Sequence, residues 1–526
     1  ITRINTTLNT NLTIRDLFDN PTTTQLAHLT QNQNPHNRNR PALTTQTRPE
    51  HLPLSHAQQR LWILDQIEGP TPTYNIPLAI HLTGTLNTHA LTQALNDLIN
   101  HHEPLRTTYP QHNDQPYQHI HPTQPTHLTL THIHTTPDQL THHHTTHAAK
   151  PFNLSNELPI RATLFTTSPT THTLLLTLHH IAADGWSLTP LTTDLTTAYT
   201  ARLNNHTPKL TPLTTHYADY VLWHNQLLGN PEDPNSEHNR QLSYWTETLA
   251  DLPEQLALPY DHPRPSTPSH QGDTVTFHIT PQLHTHLTGL AHTTGASTFM
   301  VIQTAIATLL TRLGAGTDIP LGTAIAGRTD EATDNLIGFF VNTLVLRNNT
   351  TGDPSFRELL ERTRNTDLTA YTNQDIPFNH LVETLNPHRT NALHPLFQVM
   401  LAHRSTAPEN PQFDGLNTHI EPVHPGTAKF DLTFDLLEEH TPEGKPNGTH
   451  GHIEYSTDLF ERSTVEGLAG RLVRLLEAAT TEPDLPISKL EILSPEEREL
   501  VIERWNDTTR DLPAATLPEL FAARVA

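Results

Sequence analysis

The sequence contains no cysteine, and this absence removes several kinds of chemistry at once. Without thiols the chain has no disulfide bonds, no cysteine-ligated zinc ribbon and no cysteine nucleophile. Basic residues are also scarce, because 31 lysines and arginines stand against 54 acidic residues and give a formal net charge of −23. A surface that follows nucleic-acid phosphates needs clustered lysine and arginine, so we expect no nucleic-acid partner.

Long apolar stretches are absent too. No segment approaches the roughly 18 consecutive apolar residues of a transmembrane helix, and no charged region followed by an apolar core opens the chain. We therefore expect no membrane partner and a cytoplasmic location. The sequence begins with Ile1 rather than methionine and stops at Ala526 within a helix-like pattern, which favours an excerpt from a longer polypeptide.

Helix and strand signals alternate along the 526 residues, which predicts an α/β protein. Residues 32–50 are polar and interrupted by prolines, as is typical of an exposed linker. In the first half, periodicity predicts a helix over 90–100 and a strand over 173–178. In the second half, we expect a helix capped by Ser297 and a strand over 319–326. A capping box at 463–466 is expected to open a last helix that runs to Leu476.

The segment HHIAADGWS at residues 179–187 directly follows the predicted strand at 173–178. It resembles the HHxxxDG signature of nonribosomal peptide synthetase condensation domains. In a chain with 40 histidines this match alone is weak. Seven further segments, in order, are similar to other motifs of the family: 54–62 (LSHAQQRLW), 74–77 (YNIP), 102–107 (HEPLRT), 217–223 (YADYVLW), 337–343 (IGFFVNT), 373–378 (NQDIPF) and 394–399 (HPLFQV).

The sequence departs from the family pattern in two places. Ala183 stands where serine or glycine is commoner, and residues 389–391 (RTN) alter the approach to His394. Neither change touches the histidines, the aspartate or the glycine of the signature, so the resemblance still implies activity.

The resemblance implies an α/β fold of two chloramphenicol-acetyltransferase-like lobes that form a V, with the active site at their junction. Residues 1–31 are similar to the end of a peptidyl carrier domain, and the segment from about Trp505 is similar to the start of an adenylation domain. The expected parts are therefore a carrier tail (1–31), a linker (32–50), a first lobe (51–223), a second lobe (224–485), and a linker with the adenylation start (486–526).

The resemblance assigns the catalytic chemistry to His179, His180, Asp184 and Gly185. His180 is expected in a channel, where its imidazole either removes a proton from the attacking amine or positions that amine against a thioester. The adjacent His179 is expected to pack at the strand end. We expect Asp184 to hold the loop through an arginine, and Gly185 to let the backbone approach the thioester and donate an N–H.

Five further residues receive expected roles. Asn342, Trp186 and Ser187 are candidates for substrate contact, although a turn cap for Asn342 and packing for Trp186 are open alternatives. Arg60 and Arg106 are expected to support the structure.

Two histidine-containing segments do not predict a metal site. Residues 142–147 (HHHTTH) are expected on a solvated surface helix, and 102–103 (HE) lacks the second histidine of an HExxH zinc motif. We expect no metal and no cofactor bound by this domain itself. Its substrates are expected to be tethered to 4'-phosphopantetheine.

The implied activity is that of an amide-forming acyltransferase, which joins a donor aminoacyl or peptidyl thioester to an acceptor aminoacyl thioester. The implied partners are the upstream donor carrier, the downstream acceptor carrier and the adjacent adenylation domain. The opening motif and YNIP favour an L-configured donor. An epimerisation-type domain and a non-catalytic carrier-docking module stay open, whereas a cyclisation domain would carry aspartates in place of the two histidines.

Overall fold

The computed structural model describes residues 1–32, 40–123, 126–386, 392–405, 410–423, 426–510 and 514–526. The altered segment 389–391 lies outside these residues. Within them, no single helix is long and apolar enough to cross a membrane. One pair of helices, Pro281–Thr294 and Thr298–Arg312, is long and apolar enough only when the two are taken together, and the pair is bent by 102°.

The first sheet surrounds the apolar segment that precedes the signature. Its strands are β2 (Asn75–Thr83), β6 (Leu130–His134), β7 (Ile160–Ser168), β8 (Thr171–His179) and β13 (Asn417–Pro422). They lie in the order β13–β2–β8–β7–β6. Eight of the nine residues of β8 are buried, which fits its continuous apolar sequence and makes it the central strand. The strand predicted at 173–178 is confirmed.

Helices and a small second sheet cover this first sheet. The helices are α4 (His56–Glu68), α5 (Thr88–His101), α6 (Pro137–Ala148), α7 (Leu188–Leu203) and α8 (Tyr217–Leu228). The small sheet contains β1 (Leu52–Pro53), β3 (Thr107–Thr108), β4 (Gln111–His112) and β5 (Gln115–Ile120). The helix predicted over 90–100 is α5, which Asn87 caps by accepting the Ala90 N–H at 3.0 Å.

The large sheet of the second half has six strands. They are β9 (Gly272–Ile279), β10 (Asp318–Ile325), β11 (Asn342–Asn349), β12 (Val399–Arg404), β14 (Leu432–His440) and β15 (Pro446–Ser456), in the order β11–β10–β12–β14–β15–β9. Its helices are α9 (Glu237–Thr248), α10 (Pro281–Thr294), α11 (Thr298–Arg312), α12 (Phe356–Thr372), α13 (Phe378–Leu385) and α14 (Arg462–Thr481).

The three elements predicted in this half are confirmed, but the capping box predicted for the last of them, α14, is wrong. Ser297 caps α11 by accepting the Met300 N–H, and the strand expected over 319–326 is β10. The capping box at 463–466 does not form, because α14 already begins at Arg462 without a side-chain cap. Its glutamate, Glu466, instead pairs with Arg462 at 3.0 Å.

The structure corrects the predicted boundaries of the lobes. Residues 417–422, which the prediction gave to the second lobe, form β13 and pair antiparallel with β2 of the first sheet. The second core also continues past residue 485, since Ile487 and Leu490 are buried in it. The second half of the chain therefore contributes one strand to the first sheet, and sequence order alone does not separate the lobes.

Part of the predicted linker is held against the lobes. Leu43 is buried, and Arg48 contacts Glu103 and Asp219 at 3.0 and 3.2 Å. Most of the residues 40–50 are nevertheless exposed and without helix or strand, so this stretch is an exposed segment held at Leu43 and Arg48. Residues 33–39 lie outside the described part of the chain.

The two ends of the chain form short helices. They are α1 (Thr2–Leu8), α2 (Ile14–Asp19), α3 (Thr23–Asn32), α15 (Pro495–Glu499) and α16 (Leu517–Val525). α2 lies against α12, where Arg15 donates to the Thr369 hydroxyl at 3.0 Å and Asp19 pairs with Arg364 at 2.5 Å. At the other end, Trp505 and Leu517 are exposed.

Candidate active site

A channel of about 210 Å³ lies between the two large sheets. Its lining includes His56, Arg60 and His180 from the first lobe and Asn342, His394 and Lys429 from the second. Both lobes thus contribute polar side chains to one space, which we call the channel. The signature histidine reaches it as predicted, because His180 directly follows β8.

His180 is held by the backbone while one ring nitrogen stays unpaired. Its N–H donates to the Tyr74 carbonyl at 2.8 Å, and its ring lies 5.0 Å from the Phe339 ring. Among the described residues its buried Nδ1 has no hydrogen-bond partner. Burial lowers the His180 pKa well below 6.5, and the charge of Lys429 and then His179 lower it further. A neutral imidazole in the lining of a channel can accept a hydrogen bond from a substrate.

The neighbouring histidine faces the opposite way. His179 is only 3% exposed and its Nδ1 accepts the Ile181 N–H at 3.1 Å. Its ring packs near those of Tyr74 and Phe152, and burial lowers its pKa to about 3. These contacts place His179 in the packing role expected for it and away from the channel lining.

Asp184 is a buried carboxylate with several donors. It accepts from the Ser187 N–H and hydroxyl at 2.9 and 2.8 Å and from the Phe340 N–H at 3.0 Å. Arg328, which the sequence did not single out, lies 3.3 Å away and supplies the expected arginine partner. Because Arg328 and Phe340 belong to the second half, Asp184 ties the signature loop to the other lobe.

The three residues after Asp184 lie outside the channel. Gly185 is exposed and an added Cβ would meet no atom within 4 Å, so close packing does not require glycine there. Ser187 is buried and its hydroxyl donates to the Gly338 carbonyl at 3.0 Å. Trp186 is 44% exposed and lines a separate cavity of about 330 Å³. A short 3₁₀ turn over Gly185–Ser187 leads the chain away into α7, which explains these placements.

None of the three is among the residues that line the channel. The substrate contacts predicted for Trp186 and Ser187, and the predicted approach of the Gly185 backbone to the thioester, therefore stay predictions.

Asn342 lines the channel, but its amide is already occupied. Its Nδ2 donates to the carbonyls of Gln374 and Ile376 at 3.0 and 2.8 Å, and its Oδ1 accepts the Phe378 N–H at 3.2 Å. The side chain thus fastens the 373–378 segment to the start of β11. This arrangement favours the capping alternative over direct substrate contact.

The two support arginines occupy different environments. Arg60 lines the channel, lies 3.2 Å from the Nε2 of His394, and stacks over the Phe378 ring at 4.9 Å. It therefore connects α4 to the second lobe. Arg106 donates to the His121 carbonyl and lies 3.9 Å from Glu103, so it braces the small sheet away from the channel.

Lys429 is a charged residue of the channel that sequence reasoning missed, as are Arg40 and Asp375, which pair with each other. Its ammonium lies 5.4 Å from the centroid of the Tyr74 ring, and the described part of the chain offers it no ion pair. Burial and the charge of Arg60 lower its pKa, whereas Glu454 opposes that shift. One signal was present: the sequence has only five lysines, and this one directly precedes the apolar strand β14.

Two clusters of metal-binding residue types occur among the described residues, and neither faces the channel. They are His101, His102 and Asp194, and His284, Glu438 and His440. In the first, His102 and Asp194 are already paired at 2.8 Å. In the second, the His284 Nδ1 accepts the Gly448 N–H.

The histidine-rich stretch 142–147 lies on α6. His144 is buried, and the rings of His143 and His147 lie within 5.8 Å of the Phe165 ring centroid. The predicted surface helix is present, with His142, Thr145 and Thr146 exposed, and its inner face packs on the first sheet through the other histidines.

The geometry can be compared with that of known proteins. A family model described as "Condensation domain" matches residues 48–502. The chain belongs to the condensation domain family. A dimodular nonribosomal peptide synthase of Bacillus subtilis (strain 168) is 48% identical over 527 aligned residues, which cover 100% of this chain and 22% of the synthase. This condensation domain therefore spans about a fifth of that relative's length.

Solved structures support the same fold. The X-domain from teicoplanin biosynthesis is 34% identical, with a TM-score of 0.81 over 86% of this chain and 100% of that domain. The first condensation domain of the calcium-dependent antibiotic synthetase has a TM-score of 0.69 at 19% identity, covering 85% and 100% of the two chains, and shows the fold alone. The predicted α/β architecture of two chloramphenicol-acetyltransferase-like lobes, with the channel at their junction, is confirmed.

Proposed function

We propose that this condensation domain forms a peptide bond between a donor aminoacyl or peptidyl thioester and an acceptor aminoacyl thioester. The observation that carries the proposal is the position of His180, the second histidine of the signature, in the lining of the channel between the lobes. Both substrates would arrive on phosphopantetheine arms of carrier domains. The arms belong to the substrates, so the domain itself would hold no cofactor.

The chemistry requires a neutral amine and no oxidant or metal. The amine nitrogen attacks the thioester carbonyl carbon, the carbon–sulfur bond breaks, and the proton lost by nitrogen ends on the departing thiol. A neutral His180 can accept a hydrogen bond from the attacking amine and orient its lone pair. Because burial lowers the His180 pKa, the ring is a weak base before attack, which favours positioning over prior proton removal. Proximity in such a site can supply about 7–11 kcal/mol of the barrier.

The residues around His180 suit a fixed geometry. Asp184 and Arg328 hold the signature loop against the second lobe, and Arg60 joins α4 to His394. A well-positioned imidazole needs such supports, because an error of about 1 Å in a near-attack geometry can cost a hundredfold in rate. We assign Asp184, Arg60 and Arg328 to this supporting role.

The proposed partners are carrier domains at both mouths of the channel. Residues 1–31 resemble the end of an upstream carrier domain, and the segment from Trp505 resembles the start of an adenylation domain. An L-configured donor residue is part of the same proposal and rests on the opening and YNIP motifs.

A single-turnover reconstitution tests the proposal. Donor and acceptor aminoacyl carriers are mixed with the domain, and dipeptidyl carrier is followed by mass spectrometry. We expect product with the parent, at least a hundredfold less with His180→Ala, and no change with His142→Ala, which removes an exposed histidine on α6. Matched donors with D- and L-residues test the stereochemical part. Equal rates for the parent and His180→Ala would overturn the assignment of His180.

A docking function is the second candidate, because the X-domain from teicoplanin biosynthesis is known in a complex with OxyB and is 34% identical to this chain. A docking module would bind carriers or another protein with equal strength in the parent and in His180→Ala, and would yield no dipeptide.

An epimerisation-type domain would instead invert the configuration of a carrier-bound residue, which chiral analysis of the released amino acid detects.

A further inference from the structure

Lys429 is fixed in position by the backbone on both sides. The Ala428 N–H donates to the His270 carbonyl at 3.0 Å, and the Asp431 N–H donates to the Gln398 carbonyl at 3.1 Å. An added Cβ on Gly272 would lie 2.7 Å from Ala428, so the segment before Lys429 is pressed against the start of β9. The lysine side chain therefore extends into the channel from a rigid base.

The nearest carboxylate along the chain is not available to neutralise Lys429. Asp431 pairs with Arg264 and accepts from the Tyr260 hydroxyl at 3.0 Å. The ammonium instead faces the Tyr74 ring, a contact that favours the charged form. Tyr74 is also the residue whose carbonyl accepts the His180 N–H. Lys429, Tyr74 and His180 thus form one contiguous group across the two lobes.

The other charges around this group come from several elements. Glu454 on β15 favours the charged form of Lys429, and Arg60 on α4 disfavours it. His179 and Lys429 both disfavour protonation of His180. At the far side of the channel, Arg40 and Asp375 pair with each other at 2.7 Å, and the other channel histidines, His56, His224 and His394, all have lowered pKa values because of burial.

We propose that Lys429 is an electrostatic positioning residue, whose ammonium keeps both His180 and the incoming acceptor amine uncharged. The inference rests on the proposed function as far as the amine is concerned. A free α-amine has a pKa of about 7.7–8.0 and is mostly protonated at neutral pH, so it must lose a proton before it can attack. A fixed cation that lines the same low-dielectric channel disfavours a second positive charge there. Lys429 therefore favours the nucleophilic form of the amine.

The pH profile of single-turnover rates tests this role. Lys429→Met removes the charge and keeps an unbranched apolar side chain, and Lys429→Arg keeps the charge. We expect the rate of the parent and of Lys429→Arg to rise with pH along the same limb. In Lys429→Met this limb moves up by about one pH unit, so the rate at pH 7 falls about tenfold and recovers toward pH 9. Lys429→Gln replaces Lys429→Met if the latter does not fold.

A rate loss of the same factor at every pH would mean that Lys429 is only structural, and a shift in Lys429→Arg equal to that in Lys429→Met would mean that charge is not the cause. Either result overturns the inference.

A second readout does not depend on turnover. The ring of His180 is titrated by NMR of ¹³C-labelled histidine, with its signal assigned by its loss in His180→Ala. We expect His180 to accept its proton at a higher pH in Lys429→Met than in the parent, and an unchanged titration overturns the inference. If the parent makes no dipeptide, the proposed function fails, and the titration still decides the effect of Lys429 on His180.

Discussion

The two walls of the channel are built in different ways. On the first-lobe wall, His180 directly follows β8 and is held by the carbonyl of Tyr74, the residue before the paired strand β2. On the second-lobe wall, Asn342 and Lys429 come from separate segments that are held by different neighbours. The first wall is thus built on one pair of strands, whereas the second is assembled from several segments. We therefore expect substitutions that remove long-range contacts to cost more stability than substitutions of the exposed residues near the signature.

The largest expected effect is at the link between the walls. Arg328→Met leaves the Asp184 carboxylate buried without its cation, and we expect the free energy of unfolding to fall by about 3–5 kcal/mol in denaturant titrations. The matched control is Arg404→Met, which breaks an exposed pair with Asp435 and should cost less than about 1 kcal/mol. Similar losses of unfolding free energy in Arg328→Met and Arg404→Met would show that the contact between Arg328 and Asp184 stabilises the protein no more than an exposed ion pair does.

Acid is expected to weaken both walls through one buried histidine on each. Burial lowers the pKa of His179 and of His394 to about 3, below the value of about 6.5 in an unfolded chain. The unfolded state then binds more protons, so the stability these groups contribute is complete above pH 6.5 and is lost as the pH falls toward 3. Between pH 6.5 and 3, each of the two histidines should lower the free energy of unfolding by about 1.4 kcal/mol per pH unit, which amounts to about 2 kcal/mol at pH 5.

Chemical denaturation at pH 7.5 and 5 measures this effect in the parent, His179→Gln and His394→Gln. Each variant should lose less stability on acidification than the parent. His142→Gln, at an exposed site, controls for the loss of an imidazole. If neither His179→Gln nor His394→Gln reduces the loss of stability between pH 7.5 and 5, the proposed role of these two histidines is contradicted.

A smaller effect is expected at Asn342. In Asn342→Ala the carbonyls of Gln374 and Ile376 lose their donor and the Phe378 N–H loses its acceptor, which we expect to cost about 1–2 kcal/mol. Thermal unfolding measures the loss, with the exposed Asn204→Ala as control. If Asn342→Ala instead has the stability of the parent but a raised KM for the acceptor, the result would support a direct contact between Asn342 and the substrate.

The sequence could predict the first wall because its information is local. The strand 173–178 and the HHxxxDG segment are adjacent, so periodicity and motif together placed His180 at a strand end. The second wall could not be read in this way. Nothing in the sequence pairs Asp184 with Arg328, which lies 144 residues away, and that contact exists only once both lobes have folded. The same limit explains why sequence order assigns residues 417–422 to the second lobe, although they pair with β2 of the first sheet.

The smallest expected effect on stability and rate is that of substituting Trp186. This residue is close to the signature histidine in sequence but does not line the channel. The residue is two positions from Asp184 but 44% exposed, and it lines the cavity on the far side of the signature loop. Trp186→Ala should change stability by less than about 0.5 kcal/mol and leave the single-turnover rate within about twofold. Trp223→Ala, at a buried tryptophan whose Nε1 donates to the Pro41 carbonyl, should cost about 3–5 kcal/mol. A marked loss of rate in Trp186→Ala that higher concentrations of acceptor carrier restore would contradict this expectation and make the outer cavity part of a carrier-docking surface.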